Sequence, residues 1–153
     1  MKFWDAAGEK RYKPVISTYF KSTDCAILMF DVTNLASFQQ LPQHIQEFRK
    51  VVNCPMFVVG NKIKEPNKQV TEQMVAELCE SIGENCFHTF VDVKHNGDQN
   101  VEACVNLILA LLLDGQVPNH RSVKSARTGE WLIAKNRRRV KLFCVNACIF
   151  ERK

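Results

Sequence analysis

Three short apolar runs punctuate the chain, at 25–30 (CAILMF), 56–59 (MFVV) and 86–91 (CFHTFV). None alternates as a half-exposed strand would, and they are followed by polar positions at Asp31, at Asn61 after Gly60, and at Asp92. Short continuous apolar runs of this kind predict strands of a parallel sheet covered on both faces. Between them the apolar spacing changes. Leu35, Phe38, Leu41, Ile45, Phe48 and Val52 step by three or four, which marks one face of a helix, with Asn34 as its N-cap. Pro42 falls inside that pattern and predicts a bend, because an interior proline costs about 3 kcal/mol. Thr71 caps a second helix with stripe Met74, Leu78 and Ile82 and a stop at Gly83. A third starts near Gln99, turns Val101, Val105, Ile108 and Leu112 inward, and ends by Gly115 and Pro118.

Strands alternating with helices predict an α/β domain with a mostly parallel sheet. Ligands of such sheets bind beyond the carboxyl ends of the strands, where Asp31, Asn61 and Asp92 fall. The apolar share of 46% suffices for one core. The longest apolar run, 107–113, is far short of the roughly 18 residues of a membrane span, and residues 1–15 do not read as a signal peptide. Seven cysteines without a C-x-x-C pair are expected to be reduced thiols in a cytoplasmic protein. The four histidines share no spacing, and His88, inside a strand, is expected to pack rather than catalyse. Residues 1–120 carry a net charge of −3 and residues 121–153 a net charge of +8, so body and tail are expected to do different work.

Five ordered motifs carry a resemblance to one family. Trp4-Asp5-Ala6-Ala7-Gly8-Glu9 resembles W-D-T-A-G-Q, the opening of switch II in Ras-superfamily small GTPases of the Rab type. Residues 10–21 are similar to the helix that follows it. Leu28-Met29-Phe30-Asp31-Val32-Thr33 resembles L-V-Y-D-I-T, and Val58-Val59-Gly60-Asn61-Lys62 resembles the guanine-recognition strand V-G-N-K-x-D. Phe90-Val91-Asp92-Val93-Lys94 stands where the family has E-T-S-A-K, and Gln99-Asn100-Val101-Glu102 matches the start of its last helix. The resemblance implies a Ras-like three-layer fold, a role in vesicle trafficking, GTP or GDP with Mg as ligands, and Rab effectors or regulators as partners. It implies Asp5, Gly8, Asn61, Lys62 and Lys94 as nucleotide contacts, with Asp5 also near the Mg. Read from the fold alone, the same residues serve a turn (Gly8), a loop tie (Asn61) and surface stems (Lys62, Lys94).

The departures bear on chemistry. No G-x-x-x-x-G-K-[ST] occurs in the 153 residues, so the backbone cradle for phosphates is expected to be absent, with the first strand and switch I. Glu9 stands at the position of the water-orienting glutamine, and a carboxylate there repels a γ-phosphate. Lys64 stands where an aspartate accepts from guanine, and exchanging that acceptor for a cationic donor costs about 3–6 kcal/mol. Nucleotide binding is therefore expected to be weak or lost and hydrolysis inactive. The alternative is a nucleotide-independent module that engages effectors through residues 12–20.

The expected organisation is a partial small-GTPase domain over 1–114 and a basic tail over 115–153, flexible or irregular. The run Lys135-Asn136-Arg137-Arg138-Arg139-Val140-Lys141 suits an anionic membrane surface or nucleic acid, and Cys148 is too far from the last residue for a prenylation motif. The family's first strand lies between the strand holding Phe3-Trp4 and strand 25–30. Without it, a gap with unpaired edges is expected, which the chain closes imperfectly, fills with its tail or a partner, or leaves partly unfolded.

Overall fold

The computed structural model describes residues 2–6, 23–83, 85–94, 97–114 and 141–146. Strand β1 (Lys2–Ala6) is followed by β2 (Cys25–Asp31), helices α1 (Leu35–Gln39) and α2 (Leu41–Arg49), β3 (Met56–Asn61), α3 (Glu72–Ile82), β4 (Cys86–Phe90), α4 (Gly97–Asp114) and β5 (Lys141–Asn146). The five strands form one sheet in the order β1-β5-β2-β3-β4, and every neighbouring pair is parallel. All carboxyl ends therefore share one edge, as the α/β reading requires.

Two apolar layers sandwich the sheet. Ala26, Leu28, Phe30, Met56, Val58 and Cys86 face one side, where they pack with Leu41, Ile45 and Phe48 of α2 and Val75 and Cys79 of α3. Cys25, Ile27, Phe57, Val59 and Phe87 face the other side, where α4 brings Cys104, Leu107, Ile108 and Leu112. This period-2 split of continuous apolar strands is what a doubly covered sheet demands. Gly60 on β3 is a packing requirement: a Cβ there would lie 2.5 Å from the Phe90 ring and 3.0 Å from Phe30.

Local chemistry places the helices. The Asn34 side chain accepts from the Ser37 N–H at 3.3 Å, and Thr71 Oγ1 accepts from the Met74 N–H at 3.3 Å, so both expected caps form. Two expectations need correction. The 35–52 stripe is two helices, not one bent helix: the chain breaks at Gln40, and Pro42 sits in the first turn of α2, where no N–H is needed. On α4 the inward seam runs through Cys104, Leu107, Ile108 and Leu112, while Val101 is 37% exposed, so the face is shared at Ile108 and Leu112 but not at Val101.

Lys141–Asn146 is a strand and lies between β1 and β2, which is the option of filling the gap with the tail; residues 115–140 and 147–153 lie outside the described residues. Its register runs from Lys2↔Lys141 to Ala6↔Val145 on one side and from Cys25↔Leu142 to Met29↔Asn146 on the other. The basic run before Lys141 lies outside the described residues.

His88 on β4 is 3% exposed, and both ring nitrogens are buried without a hydrogen-bond partner among the described residues. Burial pulls its pKa below the usual histidine value, against a smaller upward pull from Glu72. The unfolded chain then binds the proton more readily, so stability falls as pH drops from about 6.5 toward the folded pKa. His88→Leu is expected to remove that slope and to add about 1 kcal/mol at pH 5.5, read from urea midpoints at pH 5.5 and 7.5. Parallel pH profiles for the two chains would exclude this role for His88.

Candidate functional site

The carboxyl ends of β2, β3 and β4 bring a set of polar side chains together. Asp31 ends β2 and is 7% exposed. Its Oδ1 accepts from the Thr33 N–H at 2.9 Å and the Thr33 hydroxyl at 2.7 Å, while Oδ2 takes the Lys62 ammonium. Burial pushes the Asp31 pKa upward, but Lys62 and the two Thr33 donors outweigh it and hold the carboxyl below its usual value. Ser37 Oγ accepts from the Asp31 N–H at 3.0 Å, which fixes the strand end to α1.

One strand over, Asn61 Oδ1 accepts from the Lys62 N–H at 2.8 Å and from the Val93 N–H at 3.3 Å. This ties the loop after β3 to the loop after β4. Lys62 has φ +65°, an uncommon left-handed conformation for a residue with a Cβ, at the point where the chain leaves the sheet. Asp92 is fully buried, and its Oδ2 accepts from the Lys64 N–H at 3.0 Å. Lys94 reaches Glu65 at 3.3 Å, with side-chain exposures of 73% and 29%. Such an open pair contributes about 0–1 kcal/mol.

Three of the residues singled out from sequence, Asn61, Lys62 and Lys94, thus meet in one loop cluster. Asp5 does not join them. It pairs in register with Cys144, which pairs with Ile27, so Asp5 stands level with Ile27, whereas Asp31 pairs with Asn61. Four residues along a strand separate the two levels, about 13 Å. Gly8 and Glu9 lie outside the described residues. The sequence reading marked Asp31 and Asp92 as strand-end residues but gave them no role; the structure makes each the acceptor that organises a loop. Their signal was present in the parallel topology, which sets the end of β2 beside Asn61 and Lys62.

In a parallel, two-faced α/β sheet the carboxyl edge, where this polar cluster lies, is where ligands bind. The Ras family model matches residues 1–113, and the chain belongs to the Ras family, with relatives of the Rab and Ypt type. It is 35% identical over 116 residues to GTP-binding protein yptV5 of Volvox carteri, covering 71% of this chain and 55% of that protein. It is 31% identical over 109 residues to Ras-related protein Rab-7B of Dictyostelium discoideum, covering 67% and 54%. To the Ypt/Rab-type GTPase YPT7 of Saccharomyces cerevisiae it is 34% identical over 92 residues, covering 55% and 44%. The chain thus spans about half the length of the relatives it matches. Among the described residues no helix is long and apolar enough to cross a membrane.

Proposed function

We propose that this chain is a Rab-like trafficking module whose own affinity for guanine nucleotides is weak. The observation that carries this reading is the way the loop cluster satisfies itself. Asp31 is taken by Lys62 and Thr33, Asp92 by the Lys64 N–H, and Glu65 by Lys94. Where guanine would need an acceptor, the exposed Lys64 side chain offers only donors. The residues present therefore do not fit the base, and the 153-residue sequence contains no G-x-x-x-x-G-K-[ST] to hold phosphates or their Mg. Glu65 is the most accessible of the three carboxylates, but it stands one residue past the acceptor position and would serve guanine only after a slip of the loop.

Lys64→Asp restores the acceptor without restoring a phosphate cradle. Even with the roughly 3–6 kcal/mol of the base contact regained, the GDP dissociation constant of Lys64→Asp is expected to stay above about 0.1 μM, because the phosphate contacts remain missing. The check is a titration of both chains with a fluorescent GDP under identical conditions. A Lys64→Asp dissociation constant below about 0.1 μM would locate the deficit at the base and overturn this reading. Hydrolysis is expected to stay at background for the same reason, with Glu9 unable to donate to an attacking water.

A further inference from the structure

β1 and β2 are held together through a single strand. Among the described residues β1 has one sheet neighbour, β5, whereas β2 also pairs with β3, and β3 with β4. The body β2-β3-β4 has helices on both faces and two apolar clusters. β5 is joined to that body in sequence only through the long stretch between Asp114 and Lys141. Within β5, Leu142, Phe143, Cys144 and Val145 form the continuous apolar run of a strand enclosed by neighbours.

We propose that β5 is a clasp: its seating between β1 and β2 is the condition for β1, and with it Asp5, to remain part of the sheet. Unseating β5 strips β1 of its sheet hydrogen bonds and exposes two unpaired edges at once. β1 and β5 therefore open as one cooperative unit, while β2, β3 and β4 stay closed. The clasp divides the carboxyl edge into a conditional half, which carries Asp5, and a permanent half built on Asp31, Asn61, Lys62 and Asp92. Treating that edge as the functional face rests on the function proposed above, but the opening of the clasp is read without nucleotide.

The register supplies a lock. Ile27 and Cys144 are Cα partners on adjacent strands, about 4.8 Å apart, within the range a disulfide spans. Ile27→Cys in the full chain is expected to cross-link to Cys144 within one molecule on mild oxidation, identified by peptide mapping and by a monomer band on a non-reducing gel. Hydrogen exchange followed by mass spectrometry then compares the oxidised and reduced forms. Oxidation is expected to slow exchange at residues 141–146 and at residues 2–6 together, by at least about tenfold, and to leave residues 56–61 unchanged. Should Ile27→Cys perturb the core, Met29→Cys with Asn146→Cys places the same lock at the next same-face register pair. Three results would overturn the clasp: no cross-link in either variant, a cross-link found only between two molecules, or residues 2–6 exchanging at the same rate whether the lock is closed or open.

Discussion

Phe57→Ala is expected to cost about 3–5 kcal/mol, a large part of the roughly 5–15 kcal/mol that holds a domain of this size together. Phe57 is fully buried on β3, which is paired on both sides. Its ring lies against Phe87 with centroids 5.1 Å apart at 30°, in the cluster that also holds Ile108 of α4. Paired strands on both sides leave little freedom for the layer to collapse into the space vacated, so the cavity contribution adds to the lost transfer free energy. Urea unfolding should show a lower midpoint with an unchanged slope. A cost below about 1.5 kcal/mol would mean that α4 is not packed on β3 as described.

Asp31→Ala is the largest polar effect expected, about 2–3 kcal/mol of destabilisation at pH 7. The substitution removes the acceptor for both Thr33 donors and the counter-charge of Lys62. The Lys62 side chain is 46% exposed and can rehydrate, so the ion pair itself contributes little and the Thr33 turn carries most of the loss. The folded pKa of Asp31 is lowered, so its contribution is fully present above the usual carboxylate value near 4 and is lost as pH falls through the folded pKa. Denaturation profiles from pH 7 to 2 should therefore converge for wild type and variant at the acid end. A gap that stays constant across that range would show that the Asp31 charge is not what matters.

The parts of the fold that short-range chemistry decides were readable in the residues. The apolar runs at β2, β3 and β4 have no other use than a covered parallel sheet, and Asn34 and Thr71 announce the helix starts that their side chains then cap. Pro42 announced a break but not its place, since a stripe with a step of three or four is the same on one bent helix or two. β5 was hard to place for a different reason. Leu142–Val145 is four apolar residues directly after a run of cations, and its pairing with β1 and β2 depends on contacts with residues more than a hundred positions away, which no local pattern encodes. The candidate site divides in the same way. Asn61, Lys62 and Lys94 could be named from their resemblance to a known motif, but their partners, the Val93 N–H, Asp31 and Glu65 in turn, became visible only when strand register put the loops side by side. Asp5 marks the reverse case: its motif places it with the others, and the register of β1 on β5 does not.

The weak-affinity reading is tested most directly by titrating the purified 153-residue chain with a fluorescent GDP in the presence of Mg, with unlabelled GDP as competitor. The expected result is a signal that does not saturate up to about 100 μM and that unlabelled GDP does not displace. Saturable, competable binding with a dissociation constant below about 1 μM would contradict it, because about 8 kcal/mol of binding free energy cannot come from a loop cluster whose carboxylates are already engaged and whose base position presents Lys64.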